Sequence, residues 1–432
     1  MTGRKLLVVA ALLVVALPLA ASRRRSVRTP EFRHLTANEW IRATAVPFAT
    51  TDARTGTRDL EPLREIVGDA RIVSLGEATH GSREFFTMKH RVLEYLVEEM
   101  GFTIFAIEAN LPEADVVDDY VLHGKGDSRE ALKGMYFWTW NTAEVLDMIE
   151  WMREYNLRRG DRPPVRFRGF DPQYAPWAVD KVTAYVAQVD PDAASAMTQR
   201  LACIRREPSP YRALPQATRD ACAASIQQAM SVLSERRADY SARSTAADFE
   251  NHLRYLRVIQ QSESIWSNRG QRDNFMAENV AWLVDTAHPG EKAVLWAHNF
   301  HVSADFPNRM GYPLKQRFGD DIVIAGFAFA GGSFKAYGPN GFGTYSTTET
   351  PPAGWEPFFR EAGTPLFILD LRNTRRSPEA AEYLTQSRRL WTVGSLWQPA
   401  NLGNHRVGMA LRPAYDVLIY IENVTPTAIL PF

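Results

Sequence analysis

Two short histidine-bearing segments carry residue types suited to proton transfer. Glu77 and His80 stand three residues apart in Gly76-Glu77-Ala78-Thr79-His80-Gly81, and His298 and His301 stand three apart in Ala297-His298-Asn299-Phe300-His301. An imidazole oriented by a carboxylate can take a proton from water, and a second imidazole can meet the negative charge that then develops on a carbonyl oxygen. The glycines bracketing the first segment permit a tight turn and close approach of a substrate. A histidine packed against a helix start, or a glutamate bonded to backbone N–H groups, would give the same letters. Each residue taken alone therefore leaves function and structure both open.

The flanking chain predicts where these residues sit. Apolar runs at Arg71–Leu75, Phe102–Ile107, Val165–Phe170, Ala293–Ala297, Ile322–Phe329, Leu366–Leu371 and Val417–Ile421 read as strands. Amphipathic stretches alternate with them. Arg83–Met100 carries Phe85, Met88, Val92, Leu93, Leu96, Val97 and Met100 on one helical face, and Gly101 suits its end. Asn141 with Glu144 reads as a capping box for a helix running to about Tyr155. Helices are also expected near Ala37–Ala43 and over Asn274–Ala287, the latter headed by Arg272 and Asp273. This alternation predicts an α/β fold, a mainly parallel sheet flanked by helices. Residues 176–270 lose the strand signal and read as a helical insertion within one domain spanning 29–432; Gly331–Thr350, rich in Gly, Ser and Thr, reads as a loop.

In such sheets ligands bind at the carboxyl ends of the strands, where the loops gather. Glu77 and His80 follow the first predicted strand, Glu108 closes the second, Asp171 follows the third, and His298 and His301 follow the fourth. Asp370, Arg372 and Glu422 close two later ones. One loop carboxylate would mean little; several strands delivering Glu, His and Asp to one edge form a pattern that a purely structural sheet does not need. Arg272-Asp273 at the helix head could orient the site, and Asp171 and Arg272 read with Trp138 and Trp140 as substrate-binding. The alternatives remain open: Glu108 in a structural ion pair, Asp171 capping the turn before Pro172, His301 as a satisfied core histidine, and Arg272-Asp273 as an ordinary surface pair. Trp138 and Trp140 precede a helix start, where they could wall a site for an apolar substrate; tryptophans, Trp266 and Trp296 included, more often fill cores.

Composition limits the classes. Lys plus Arg is 50 and Asp plus Glu is 50, so no global field favours nucleic acid. Residues 1–28 read as an export segment: Arg4 and Lys5 precede an apolar run from Leu6 to Ala21, and Ala20-Ala21-Ser22 offers small residues for cleavage. Arg23, Arg24, Arg25 and Arg28 follow at once, which keeps an uncleaved membrane anchor as the second reading. Either places the domain outside the cytoplasm. Cys203 and Cys222, in helical stretches separated by Glu207-Pro208-Ser209-Pro210, fit a disulfide of an oxidising compartment and fit equally two free buried thiols.

No Gly-x-Ser-x-Gly elbow, P-loop, dinucleotide fingerprint or His-Glu-x-x-His helix is present. Three readings follow. The first is hydrolysis by His-activated water with no metal or other cofactor. The second is a metal-dependent hydrolase, because Glu77, His80, Glu108, His298 and His301 are side chains that zinc accepts, although their spacing matches no familiar motif. The third is an exported binding protein using the same cleft.

The ordered set of Gly76-Glu77-Ala78-Thr79-His80-Gly81, Gly101-Phe102 through Glu108, Trp138-x-Trp140, Trp151-Met152-Arg153-x-Tyr155-Asn156, Gly169-Phe170-Asp171, Arg272-Asp273-x-x-Met276-Ala277-x-Asn279 and Ala297-His298-Asn299-x-His301 resembles the erythromycin esterases over residues 70–330. The resemblance implies an α/β core with helical insertions, a deep cleft at one edge of the sheet, and metal-independent hydrolysis of the macrolactone ester of macrolide antibiotics. It implies that His80 is the general base, surrounded by Glu77, Glu108, His298 and His301, with Lys89 at a position where a basic residue is expected. Relatives labelled for succinoglycan biosynthesis share the likeness, and the export segment departs from cytoplasmic resistance enzymes. The small-molecule ester therefore stays open between a macrolide lactone and a related ester.

Overall fold

All seven apolar runs become strands of one sheet in the computed structural model, which describes residues 34–269, 271–347 and 354–431. In chain order the strands are β1 (Val46–Pro47), β2 (Ile72–Leu75), β3 (Ile104–Asn110), β4 (Arg166–Asp171), β5 (Ala293–Trp296), β6 (Ile322–Ala328), β7 (Gly331–Gly338), β8 (Gly341–Thr347), β9 (Leu366–Asp370), β10 (Arg388–Trp391), β11 (Arg406–Met409), β12 (Val417–Ile421) and β13 (Asn423–Val424). The main sheet has eight strands in the order β1-β9-β12-β6-β2-β5-β3-β4. From β12 to β4 every pairing is parallel.

Strands buried on both faces read as continuous apolar runs, and neighbours along each strand enter opposite layers. Ile72, Ile104 and Ala293 join one apolar cluster, and Val73, Phe105 and Val294 join the other. The first layer holds the helical insertion. The second holds the helix Arg83–Met100 and the helix Ala143–Arg158. The insertion runs through helices Pro176–Val189, Pro191–Leu201, Pro208–Arg212, Gln216–Glu235, Arg237–Arg243 and Ala246–Trp266. Cys203 and Cys222 are joined there by a disulfide, S–S 2.06 Å. The insertion is also tied to the loop after β4: Ser262 Oγ donates to the Pro172 carbonyl and Trp266 Nε1 to the Gln173 carbonyl, both at 2.9 Å.

Several local expectations are corrected. β9 runs antiparallel to β12, with Asp370 in register with Val417 at the start of β12. The carboxyl end of β9 therefore points to the far edge, and Asp370 pairs locally with Arg372 at 2.9 Å instead of joining the candidate site. Glu422 does end a parallel strand, but it faces Arg360 rather than the histidines. Gly331–Thr350 is not simply a loop. Residues 331–347 form the antiparallel hairpin β7–β8, turning at Pro339 and Asn340, and β13 adds in parallel. Phe334 and Ala336 are buried while Ser333 and Lys335 beside them are partly open, so the hairpin is held by one face only and its small residues mask the alternation. The cap of Ala143–Arg158 is Thr142, whose Oγ1 accepts from the Val145 N–H at 3.2 Å; Glu144 instead receives the Ala428 N–H at 3.1 Å, and Asn141 Nδ2 donates to the Leu430 carbonyl. The helix headed by Arg272 and Asp273 begins at Arg272 and ends at Trp282, followed by a π-helical turn over Leu283–Ala287. No helix of the described residues is long and apolar enough to cross a membrane. The expected export segment, residues 1–28, lies outside the described residues.

Candidate active site

Four adjacent strands, β2, β5, β3 and β4, deliver the polar residues to one edge. β2 ends in the turn Gly76–Gly81. Its entry needs glycine, because a Cβ on Gly76 would lie 2.2 Å from Asn299 Oδ1. Asn299 fastens three pieces together: its N–H donates to the Glu77 carbonyl at 2.8 Å, its Nδ2 to the Phe327 carbonyl at 2.7 Å, and its Oδ1 accepts the Phe327 N–H at 3.0 Å. The far end of the turn is held by the N–H groups of Lys335 and Thr427, both bonded to the Gly81 carbonyl at 3.0 Å.

Within this frame His80 Nδ1 meets Glu77 Oε1 at 2.5 Å. Glu77 is fully buried, and its second oxygen receives Lys89 Nζ at 2.7 Å and Trp296 Nε1 at 2.8 Å. With two donors on its second oxygen, Glu77 turns Oε1 to His80 Nδ1–H as an acceptor, and Nε2 of the neutral ring then keeps the lone pair. Lys89 is itself fully buried, with the Trp296 ring 4.2 Å away. Burial pushes its ammonium down to about 8, against the pull of Glu77.

His298 caps the short helix Asn299–Val302, its Nδ1 accepting the Phe300 N–H at 3.2 Å. The proton of a neutral ring must then sit on Nε2, and that buried atom has no hydrogen-bond partner among the described residues. Burial, with His80 and His301 close by, holds His298 well below the usual imidazole range, so the ring is neutral. Its centroid lies 4.9 Å from that of His80.

Glu108 reaches the edge where the β3–β4 register shifts, between Ile107 and Asn110. Such a bulge re-aims a side chain. Gly169 on β4 makes room for it, since a Cβ there would sit 2.6 Å from the Ala109 carbonyl oxygen. Glu108 Oε1 accepts Arg272 Nη2 at 2.6 Å and lies 3.3 Å from His301 Nε2, while Oε2 accepts the His298 N–H at 3.0 Å. Burial opposes its charge, but His301 and Arg272 outweigh that and hold Glu108 well below the usual carboxylate range. Burial likewise works against a charged His301, but Glu108 and the Asp273 carboxylate, 2.7 Å from Nδ1, raise it to about 9.

His80, Glu108, Phe137, Trp138, Thr139, Trp140, Gln173, Arg272, His298, His301, Gly394 and Ser395 line a cleft of about 380 Å³. Glu77 stands behind His80. Asp171 is fully buried and takes Arg272 Nε at 2.9 Å, Arg272 Nη2 at 2.6 Å and Gln173 Nε2 at 2.6 Å, so it bears on the cleft through Arg272 instead of capping the turn before Pro172. Gly394 and Ser395 were not legible as site residues; they arrive from the segment after β10, where the Val393 N–H bonds the Ala78 carbonyl at 2.6 Å. Lys89 carries its own signal: a lysine on the buried face of an apolar helix.

A family model described as erythromycin esterase matches residues 97–424, taking in Glu108, Asp171, Arg272, His298 and His301 and beginning after the His80 turn. A Bacillus subtilis (strain 168) protein named "Putative hydrolase YbfO" is 24% identical over 431 residues, covering 91% of this chain and 92% of the relative. Erythromycin esterase type II of Escherichia coli is 25% identical over 342 residues, 70% of this chain and 79% of the relative. A crystal structure of a Bacillus cereus protein superposes with a TM-score of 0.83 at 26% identity, covering 91% of this chain and 98% of the other.

Proposed function

The chain belongs to the erythromycin esterase family, and from that premise we propose that it hydrolyses a carboxylic ester with water activated by His80. The observation that carries this reading is the pairing of a Glu77-anchored His80 with a neutral His298 whose Nε2–H is unspent, 4.9 Å apart between ring centroids on one cleft.

His80 Nε2 takes a proton from water as the oxygen attacks the ester carbonyl. Glu77 fixes the ring and offsets the charge that the imidazolium acquires. The His298 Nε2–H, a buried donor with no resting partner among the described residues, suits the oxyanion of the tetrahedral intermediate. When the intermediate collapses, the C–O bond breaks and His80 returns its proton to the departing alkoxide, leaving acid and alcohol. General-base catalysis of this kind contributes about 10²–10⁴-fold, and positioning with oxyanion stabilisation must supply the rest. Arg272 and His301 offset the buried Glu108, Asp171 and Asp273 and hold the floor of the cleft. No step calls on a metal or other cofactor.

The ester is a macrolide lactone or a related small-molecule ester, with Trp138 and Trp140 as apolar walls. Opening a macrolide ring would inactivate the antibiotic. Action outside the cytoplasm is supported by the Cys203–Cys222 bridge and by the composition of residues 1–28. The test is incubation with a panel of macrolides and simple esters, read by mass gain of one water. His80→Ala should abolish that gain; a His80→Ala protein with full turnover overturns the reading.

A further inference from the structure

Five large apolar side chains are exposed among the described residues: Tyr136 at 43%, Leu157 at 70%, Tyr337 at 48%, Phe342 at 37% and Leu396 at 57%. Single exposed apolar residues need no explanation, but contiguous ones mark binding surfaces. Three of the five converge. The Phe342 ring lies 4.8 Å from Trp138 and 5.1 Å from Tyr337, and Tyr337 and Leu396 face each other across an isolated bridge. The Tyr337 N–H donates to the Ser395 carbonyl at 2.8 Å, and the Trp397 N–H to the Tyr337 carbonyl at 2.7 Å, so the segment 395–397 is stitched to the β7–β8 hairpin. Trp138 and Ser395 also line the catalytic cleft. The exposed ledge is therefore its continuation.

We propose that Trp138, Tyr337, Phe342 and Leu396 form a subsite for an apolar, ring-bearing portion of the ester substrate, held outside the cleft while the ester itself sits between His80 and His298. This rests on the ester-hydrolase reading above. The cleft holds about 380 Å³ between the Trp138 and Trp140 walls and a floor of histidine, glutamate and arginine, so an ester group and its immediate substituents fill it and a bulky apolar portion must extend beyond it. The ledge offers ring faces and a leucine, which suit a flat hydrocarbon surface better than a charged one. A second copy of the chain is disfavoured by size, because stable interfaces bury about 1,600 Å² and three partly exposed side chains supply far less.

The test compares 2-naphthyl acetate with methyl acetate, which share the acyl group and differ in the apolar ring. Phe342→Ser and Leu396→Asn should each raise KM for the naphthyl ester about tenfold relative to methyl acetate, about what losing one buried apolar contact of 1.4 kcal/mol removes. Leu396 is more than half exposed, so that variant keeps the fold, as a thermal melt would check. Binding of 2-naphthyl acetate to His80→Ala, measured by calorimetry with and without Leu396→Asn, reads the ledge without turnover. An unchanged KM ratio in both variants overturns the subsite, as does binding indifferent to Leu396. A dimer by sedimentation that Leu396→Asn splits would also overturn it, by assigning the ledge to a second copy. Ledge-dependent binding with no hydrolysis of any ester would sink the hydrolase reading and leave the subsite standing.

Discussion

Glu77 holds His80 through one carboxylate oxygen at 2.5 Å and is itself held through the other by Lys89 at 2.7 Å. The imidazole that faces the cleft is thus backed by a buried chain of alternating charge. Glu77→Gln keeps the shape and removes the charge that favours the imidazolium. We expect kcat to fall about 10²–10⁴-fold with KM little changed, since the loss falls on the transition state. Steady-state kinetics on a protein with an unaltered melting curve would check this. Wild-type kcat would show that Glu77 is only a structural carboxylate.

We expect Lys89 to set an alkaline limit on turnover. Burial brings its ammonium down to about 8, so it is charged below that pH and neutral above it. Once neutral it no longer holds Glu77 Oε2 as a charged donor, the carboxylate loses its fixed place behind His80, and kcat/KM should decline with an apparent pKa near 8. Lys89→Arg carries a guanidinium that stays charged, so the decline should move to higher pH. Lys89→Met should be poorly active throughout and lose the limb. If both variants keep a wild-type alkaline profile, Lys89 is not the titrating group.

The core of this arrangement was legible because parallel strands collect their following residues at one edge. Glu77, Glu108, Asp171 and His298 needed only correct strand assignments to be placed together. What was hidden had physical causes. The run Leu366–Leu371 is apolar whichever way the strand points, so nothing in it announced that β9 reverses and carries Asp370 to the far edge. The hairpin bearing Tyr337 and Phe342 buries one face only and is built largely of small residues, so its strand signal is weak. Gly394 and Ser395 reach the cleft through a long-range backbone bond at Val393, a contact without a local pattern. The disulfide, open between two readings, was decided by the turn between Leu201 and Gln216 that brings the two Cα atoms to 5.7 Å.

His301 makes stability pH-dependent. Its folded value, raised to about 9, lies above the unfolded value of about 6.5. A raised histidine stabilises fully below about 6.5 and loses that contribution as pH rises through 9; the full effect is roughly 3 kcal/mol. His301→Gln should therefore be less stable than wild type at pH 6, with the gap narrowing by pH 9.5. Urea unfolding at a series of pH values measures this, and a constant gap would mean that the ring is not charged in the fold.

Removing the disulfide tests the insertion. Cys203 and Cys222 are 19 residues apart, and closing a loop of that size stabilises by about 3 kcal/mol through the unfolded chain. Cys203→Ser with Cys222→Ser should lower Tm by several degrees, and dithiothreitol should do the same to the wild type and nothing further to the double variant. A Tm unmoved by either treatment would show that the bridge is not formed in solution.

Arg272 is where we expect a substitution to move stability and turnover together. It gives Nη2 to Glu108 and Nε with Nη2 to Asp171, two carboxylates drawn from different strands and both buried. Arg272→Met strands both, and removing one partner of a buried ion pair costs about 3–5 kcal/mol. Arg272→Lys keeps the charge but has one ammonium where a planar fork engages three bonds, so it should recover only part of the loss. The triple variant Arg272→Met, Glu108→Gln, Asp171→Asn removes the unpaired charges along with their partner, and urea unfolding should find it more stable than Arg272→Met alone. It should remain inactive, because Glu108 Oε2 no longer draws the His298 N–H as a carboxylate would and the histidine pair loses its alignment. Restored stability together with restored turnover would place Arg272 in the scaffold alone.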